Sequence, residues 1–325
     1  MAQSQHQNQK VEQDFLASLK TQILRNDHFE LTFLPDYGCC WKSLRINLRG
    51  KWIDLLKPLE GKTTPLHFGS YVMAPWSNRI VQGVFEFEGK TYQLRKNFPD
   101  DTAIHGDVRT RPWTVSVLTQ ERFEAVLDSR EFPDFNFPFK VKFKHVLELS
   151  GGELKMSLFI ENLDRARIPA GFGFHPFFKR RLTDLDEDII VLLPAEKVYP
   201  DEKCIPTGPP VKVSGPKDLR SERFLGNPNL DDCYTGLNSH LIRLVYPGSK
   251  VEVHYRIDPV FSHLVIYAPN EADNTPRDFV AVEPVTHVNN GFNLYTRGWP
   301  ETGIKILEPG EIWGGTCELS VVVRS

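Results

Sequence analysis

Four segments of the sequence carry histidine, arginine or carboxylate side chains outside any periodic apolar pattern: Asn78-Arg79, His105, His175 and Glu283. His175 lies in the run GFGFHPFF, where an apolar setting would tune an imidazole whose ordinary pKa is already near 6.5. A core histidine bonded to a backbone carbonyl would give the same pattern. Glu283 ends the apolar run FVAV, and a carboxylate buried there needs partners or a function. A histidine and a glutamate of this kind are suited to proton transfer on a polar substrate.

A fifth segment, Leu230-Asp231-Asp232-Cys233-Tyr234, contains two adjacent carboxylates. Paired aspartates often do no more than initiate a turn. Arg79 and the His105-Gly106 pair are equally ambiguous by themselves, because most arginines are surface charges and a single His-Gly occurs widely.

Other catalytic signatures are missing from the sequence. It has no G-x-S-x-G, no phosphate-binding loop and no dinucleotide-binding fingerprint. The five cysteines include the adjacent pair Cys39-Cys40 and no C-x-x-C, which predicts neither a disulfide framework nor a zinc site. Proton transfer on a polar substrate and a metal site remain as the two main interpretations.

The overall composition also limits the choice of partners. The chain has 325 residues, 40% of them hydrophobic, and a formal net charge of −3, so no global field draws it to nucleic acid. No apolar run approaches the roughly 20 residues that span a bilayer, and the first residues do not resemble a signal peptide. We therefore expect a cytoplasmic monomer or homodimer that binds a small molecule and neither nucleic acid nor membrane.

The elements that position these residues are mainly strands. Val84–Leu94 alternates apolar and polar residues around a turn near Gly89 and Lys90, which predicts a hairpin. Two further hairpins are predicted around Gly151-Gly152 and Pro247-Gly248-Ser249. Helical spacing appears only in residues 11–24. The pattern predicts an N-terminal arm or short helix over 1–27 and a single all-β domain, a large antiparallel β-sandwich, over 28–325.

Taken in order, several segments resemble those of the aldose 1-epimerases, also called galactose mutarotases. The resemblance extends from about residue 70 to residue 293, and no single motif is specific. The segments that carry it are SNRIVQGVFEFEGKTYQL from Ser77, AIHGD from Ala103, Pro112-Trp113-Thr114-Val115, Phe174-His175-Pro176-Phe177-Phe178, Ile205-Pro206-Thr207-Gly208, Asp218-Leu219-Arg220, Leu230-Asp231-Asp232-Cys233-Tyr234 and Val282-Glu283-Pro284 with Asn289 to Asn293.

The resemblance implies a galactose mutarotase-like supersandwich that interconverts the anomers of a hexose without a metal or an organic cofactor. It implies that Glu283 is the general base for the anomeric hydroxyl and that His175 is the general acid for the ring oxygen. Arg79, His105 and Asp231 would hold the sugar hydroxyls. Asn78 is included with Arg79, and Asp232 is the alternative to Asp231, which is preferred for its spacing from Tyr234.

The sequence departs from the family pattern at two points. His105 is followed by Gly106-Asp107 where two glycines are typical, and His175-Pro176 is followed by Phe177-Phe178 and the basic cluster Lys179 to Arg181. A basic cluster near the cleft favours an acidic or phosphorylated sugar, unless its side chains point to solvent.

Three other functions remain open at this stage. One is a hexose-phosphate 1-epimerase, for which the basic cluster is the only hint. A second is a non-catalytic sugar sensor on the same fold. The third is a cupin-like metalloenzyme with a ligand set from His105, His175, Glu283 and Asp231, although the sequence contains no H-x-H.

Overall fold

The computed structural model of the protein describes residues 18–58 and 69–324. Short β-strands account for most of the regular structure. Numbered in chain order, the strands are β1 (Gln22–Arg25), β2 (Phe29–Leu34), β3 (Cys40–Leu48), β4 (Lys51–Asp54), β5 (Val72–Met73), β6 (Arg79–Ile80), β7 (Val84–Phe87), β8 (Lys90–Gln93), β9 (Ala103–Ile104), β10 (Thr114–Leu118), β11 (Arg122–Asp128), β12 (Val141–Ser150), β13 (Glu153–Asn162), β14 (Ile168–Ala170), β15 (Gly173–Phe174), β16 (Phe177–Lys179), β17 (Ile190–Leu192), β18 (Ala195–Val198), β19 (Asp201–Glu202), β20 (Ile205–Pro206), β21 (Val211–Lys212), β22 (Leu230–Leu237), β23 (Leu241–Tyr246), β24 (Val251–Ile257), β25 (His263–Ala268), β26 (Phe279–Val285), β27 (Lys305–Leu307) and β28 (Ile312–Val323).

Helical structure is short. An α-helix, α1, spans Gly291–Thr296. Single 3-10 turns occur at Val81–Gly83, Val108–Thr110, Ser129–Glu131 and Gly215–Lys217. Across the described residues, no helix is long and apolar enough to cross a membrane.

Two eight-stranded antiparallel sheets dominate the described part of the chain. The first, which we call the support sheet, has the order β10-β11-β12-β13-β28-β24-β23-β17. The second, which we call the site sheet, has the order β21-β18-β22-β25-β26-β15-β5, with β16 also paired to β26. A four-stranded sheet, β1-β2-β3-β4, and several two-stranded ribbons complete the fold. The prediction of a large antiparallel β-sandwich is confirmed.

The support sheet buries one of its faces. In β12 and β13 the buried residues alternate with more exposed ones, as the two-residue period of a strand requires. Phe143 and Leu158 on this sheet belong to the same continuous core as Leu264 and Val282 on the site sheet. Burying each such side chain fully contributes about 1.5–3 kcal/mol, so this shared core holds the two sheets together.

Strand β26, in the interior of the site sheet, is buried on both faces. Val280 and Val282 of β26 pack into the core shared with the support sheet. Phe279, Ala281 and Val285 pack into a second apolar cluster on the opposite face. Because side chains alternate along a strand, Glu283 lies on that same opposite face, which we call the outer face.

The predicted hairpins are present. β7 and β8 form the first, although its turn lies at Glu88 and Gly89 rather than at Gly89 and Lys90. Both turn residues have positive φ, of 48° and 74°, as a tight two-residue hairpin turn requires. β12 pairs with β13, and β23 pairs with β24, around the other two predicted turns.

The N-terminal segment differs from the expectation where the structure describes it. Residues 1–17 lie outside the described residues, so most of the predicted arm or helix lies there too. Gln22–Arg25 is not helical: it forms β1, which pairs with β2 in the four-stranded sheet. Pairing with a neighbouring strand here overrides the weak helical spacing of the segment. The five cysteines, which all fall within the described residues, are free thiols.

Candidate active site

A pocket of about 290 Å³ opens on the outer face of the site sheet. Six of the seven residues that the sequence analysis selected line it. The lining residues are Tyr71, Asn78, Arg79, Phe98, Ile104, His105, His175, Phe177, Asp231, Tyr267, Arg277 and Glu283. Segments that are as much as 212 positions apart in the chain therefore meet in one cavity.

Two ionisable side chains, His175 and Glu283, are in close contact in this pocket. Nε2 of His175 is 3.1 Å from Oε1 of Glu283, and the two side chains are only 6% and 2% exposed. Oε2 of Glu283 has no hydrogen-bond partner among the described residues. Since buried polar atoms are nearly always satisfied, this oxygen is an acceptor available to a ligand.

The environment of Glu283 increases the basicity of its carboxylate. Burial raises the pKa of Glu283 well above its ordinary value, the nearby charge of Asp231 raises it further, and Arg79 opposes the shift. A carboxylate with a raised pKa binds a proton more readily at neutral pH, which is what a general base must do.

His175 is positioned by the backbone and by two aromatic rings. It follows β15 and precedes β16, and its backbone N–H donates to the carbonyl of Tyr71 at 3.0 Å. The imidazole lies 4.6 Å from the Tyr71 ring and 4.4 Å from the Phe177 ring, measured between ring centroids. Gly173 is needed because a Cβ there would lie 2.7 Å from the carbonyl oxygen of Pro284. Close packing of β15 against β26 thus brings the histidine to the glutamate.

Arg79 is held by two acceptors and a ring. Its Nε donates to Asp100 at 2.8 Å and its Nη1 to the side-chain oxygen of Asn78 at 3.2 Å. The guanidinium lies 5.3 Å from the centroid of the Phe98 ring. These contacts restrict a long side chain to one orientation at the pocket wall.

His105 is brought beside Arg79 by the ribbon of β6 and β9, in which Arg79 pairs with Ile104. Its Nδ1 accepts a hydrogen bond from the backbone N–H of Asn78 at 3.1 Å. Burial lowers the pKa of His105 well below its ordinary value, and the neighbouring charges of His175, Arg109 and Arg79 act in the same direction. The neutral ring therefore carries its proton on Nε2 and is a hydrogen-bond donor.

The backbone explains why glycine follows His105 at position 106. Its φ is 68°, and a Cβ there would lie 1.8 Å from the carbonyl oxygen of Ala74.

Asp107, one of the departures from the family pattern, faces away from the pocket. It accepts hydrogen bonds from Arg111 at 2.9 and 2.8 Å and from the backbone of Asn136 at 3.0 Å.

The adjacent aspartates are separated by the alternation of β22. Asp231 lines the pocket and accepts a hydrogen bond from the thiol of Cys204 at 3.0 Å. Asp232 points to the other face and pairs with Lys217. The structure therefore does not place Asp232 in the pocket, and its selection as an alternative contact is corrected.

Several lining residues were missed by the sequence analysis as site residues. Tyr71 and Phe177 pack on His175, Tyr267 pairs in register with Asp231, and Arg277 precedes β26. Phe177 lies within the motif around His175, which was a usable signal. Tyr71, Tyr267 and Arg277 belong to no motif, so only their places in the folded sheet identify them.

The metal-site alternative is not supported by the arrangement of side chains. Within residues 18–58 and 69–324, no group of three or more His, Cys, Asp or Glu side chains is arranged to hold a metal ion. The site instead combines an adjacent proton donor and acceptor with fixed hydrogen-bond groups on the surrounding walls. Such a set can move protons at two neighbouring oxygens of a polar ligand.

Comparisons with known proteins agree with this geometry. The sequence profile of the family described as aldose 1-epimerase matches residues 20–320. YihR, an uncharacterized protein of Escherichia coli strain K12, is 27% identical over 243 residues, which are 74% of this chain and 76% of YihR.

Solved structures share the fold. A galactose mutarotase-like protein from Clostridium acetobutylicum superposes with a TM-score of 0.78 at 21% identity, over 94% of this chain and 99% of that one. A galactose 1-epimerase from Lactobacillus acidophilus superposes with a TM-score of 0.71 at 17% identity, again over 94% and 99% of the two chains. At these identities the likeness establishes the supersandwich architecture.

Proposed function

The chain belongs to the aldose 1-epimerase family, and on that premise we propose that it interconverts the α and β anomers of a free hexose by acid–base opening and reclosure of the sugar ring. The observation that carries the proposal is the contact between His175 and Glu283 at 3.1 Å inside a pocket. Anomerisation needs one proton removed and another delivered at two oxygens of the same carbon, and this pair supplies both groups.

The reaction starts from the closed ring. Glu283 takes the proton of the anomeric hydroxyl as His175 gives a proton to the ring oxygen. The bond between the anomeric carbon and the ring oxygen breaks, which leaves an open-chain aldehyde with a free hydroxyl. Glu283 now carries the proton from the anomeric hydroxyl, and His175 has given its own proton to the ring oxygen.

Rotation about the bond between C1 and C2 then presents the other face of the aldehyde. On reclosure, His175 takes the proton from the attacking hydroxyl and Glu283 returns its proton to the carbonyl oxygen. Both groups regain their initial protonation states, so the cycle has no net proton change. General acid and base contributions of this kind each give about 10²–10⁴ in rate.

The remaining polar groups orient the ring. Arg79 and the Nε2–H of His105 donate hydrogen bonds to sugar oxygens, and Asp231 accepts them from sugar hydroxyls. Tyr71, Phe98 and Phe177 offer apolar surface to the carbon-bound faces of the ring. A pocket of about 290 Å³ is close to the lower limit of ordinary ligand sites, which suits a single sugar unit.

The experiment is polarimetry of fresh α-D-glucose and α-D-galactose with the purified protein, compared with the spontaneous rate. We expect acceleration that falls by at least about 10²-fold in Glu283→Gln, because the amide cannot accept the proton. Glu318→Gln, on β28 of the support sheet, is the matched control and should keep the full rate.

Two outcomes would contradict the proposal. Sugar binding without acceleration would support the non-catalytic sensor instead. Acceleration that survives in both Glu283→Gln and His175→Asn would remove the pair from the mechanism.

A further inference from the structure

A second and larger cavity adjoins the pocket. It is a groove of about 810 Å³ whose wall includes Lys179, Phe224, Asn227, Arg277 and Asp278. Arg277 lines both cavities, so the groove begins where the pocket ends. The basic cluster that follows His175 in the sequence belongs to this groove and not to the pocket.

Two paired strands connect the cavities. β16 runs antiparallel to β26, with Phe177 opposite Ala281 and Lys179 opposite Phe279. Phe177 and Glu283 face the pocket, whereas Lys179 and Asp278 line the groove. Along β26 the five steps from Glu283 to Asp278 span about 16 Å at about 3.3 Å per residue. The groove therefore begins at a distance from the His175–Glu283 pair, at the end of the pocket where Arg277 lies.

The charges of the groove are balanced. Of the described residues that line it, four are cationic (Lys179, Arg180, Arg181 and Arg277) and four are carboxylates (Asp184, Glu187, Asp188 and Asp278). Arg180 is already committed to Asp188, with its Nε 2.8 Å from Oδ1. A wall without net charge favours a neutral polar ligand over a phosphorylated or acidic one, whose charge would meet as many like charges as opposite ones.

The groove also exposes an aromatic ring. Phe224 is 40% exposed, which is unusual for a phenylalanine in a protein with an extensive core. The same groove is lined by polar side chains that include Thr183 and Asn227. An exposed ring in a groove that also contains polar side chains suits a sugar, because one face of a pyranose carries C–H groups and its rim carries hydroxyls.

We propose that this groove binds the second and further units of a neutral reducing oligosaccharide whose reducing-end sugar occupies the pocket. The inference rests on the proposed function, because that reaction fixes the anomeric end of the sugar at the buried pair. Arg277, which lines both cavities, marks the place where further units would leave the pocket for the groove. Further units attached away from the anomeric carbon leave that carbon free to react.

Calorimetry with the intact protein tests the inference through affinity alone. The probes are glucose and five reducing sugars that all carry glucose at the reducing end: maltose, cellobiose, lactose, melibiose and maltotriose. We expect at least one oligosaccharide to bind at least tenfold more tightly than glucose. Phe224→Ala should remove that gain and leave monosaccharide affinity unchanged, and Ile312→Ala, an exposed apolar residue on the support sheet, should change neither.

Equal affinity for all oligosaccharides and their monosaccharides would overturn the inference. An equal loss of both affinities in Phe224→Ala would overturn it too. Polarimetry on the same sugars separates it from the proposed function. If the protein accelerates mutarotation of monosaccharides but binds oligosaccharides no more tightly, the epimerase proposal stands and the groove is not a sugar-binding site. Tighter binding of an oligosaccharide without any acceleration would keep the groove as a binding site and remove the epimerase proposal.

Discussion

Asp231 and Glu283 are two carboxyl groups of one pocket, on strands of the site sheet separated only by β25. The charge of Asp231 raises the pKa of Glu283, in addition to the larger effect of burial. The pocket thus places Asp231, the proposed sugar-binding carboxylate, where it also increases the basicity of the proposed catalytic base. This dual role leads to a prediction about pH dependence.

On the acid side of the pH profile, activity should be lost at a pH above 4.5, the ordinary pKa of a glutamate side chain. Glu283 must be ionised to act as a base, and its raised pKa means that protonation removes activity as the pH falls through that higher value. In Asp231→Asn one neighbouring negative charge is removed, so this loss of activity should move to lower pH. The measurement is kcat/KM from pH 4 to 9 by polarimetry. An unchanged profile in the variant would show that Asp231 does not act on Glu283.

Asp231→Asn and Asp232→Asn form a matched pair of adjacent substitutions. We expect Asp231→Asn to lower kcat/KM about 10–100-fold at the optimum pH, the cost of about 1.5–3 kcal/mol for a charged hydrogen bond to substrate. Asp232→Asn should keep kcat/KM within about twofold, because the pair that it weakens, with Lys217, lies outside the pocket. Its cost should appear in stability instead, at up to about 1.5–3 kcal/mol for a charge-assisted hydrogen bond. Steady-state kinetics and thermal melts of both variants provide the test. The reverse order of effects would mean that the other face of β22 binds the sugar.

Asn78 should act by positioning Arg79 and His105. Asn78→Gly keeps the backbone conformation, whose φ is 53°, but removes the oxygen that binds Arg79. Losing this acceptor for a cation should lower kcat/KM about tenfold, equivalent to about 1.4 kcal/mol. Asn78→Asp retains the oxygen and should stay closer to the wild type. Equal rates in the glycine variant and the wild type would leave Asn78 without this role.

Glu283→Gln should be inactive yet more stable than the wild type at alkaline pH. A carboxyl group whose pKa is raised by folding contributes stability below the unfolded value of 4.5 and loses that contribution as the pH rises through the folded value. The amide carries no charge to bury. The melting temperature of the variant should exceed that of the wild type at pH 8, and the difference should shrink towards pH 4.5. A variant that melts lower at pH 8 would show that the contact with His175 outweighs the burial cost.

Buried neutral histidines should make the protein sensitive to acid. Burial lowers the pKa of His145 and His287 to about 4 and that of His263 to about 3. Between those values and 6.5 the unfolded chain binds more protons than the folded one, so the free energy of unfolding should fall as the pH drops below 6.5. Each extra proton bound by the unfolded chain lowers the free energy of unfolding by about 1.4 kcal/mol for every pH unit of acidification.

Urea titrations at pH 5 and pH 6 measure this slope. His145→Gln should reduce it by about one proton, or about 1.4 kcal/mol per pH unit. His28→Gln, at an exposed position, should leave it unchanged. A slope that does not respond to His145→Gln would mean that other groups control acid unfolding.

The sequence determined the fold class, the main hairpins and the family. Strand alternation and turn residues are local signals, which is why β7 with β8, β12 with β13 and β23 with β24 were recognisable without coordinates. The segments around His105, His175 and Glu283 were recognisable because their side chains conflict with the apolar or turn patterns around them. The resemblance to the aldose 1-epimerases that those segments indicated is confirmed by the family match over residues 20–320.

Only the tertiary structure decided how these segments meet. The 3.1 Å contact of His175 with Glu283 depends on the close approach of β15 and β26, which Gly173 permits. The separation of Asp231 from Asp232 depends on which face of β22 meets the core. Tyr71, Tyr267 and Arg277 enter the pocket through sheet order and register, which are long-range properties that no short motif encodes. For the same reason the basic cluster after His175 could be noticed in the sequence, but its position in a charge-balanced groove could not.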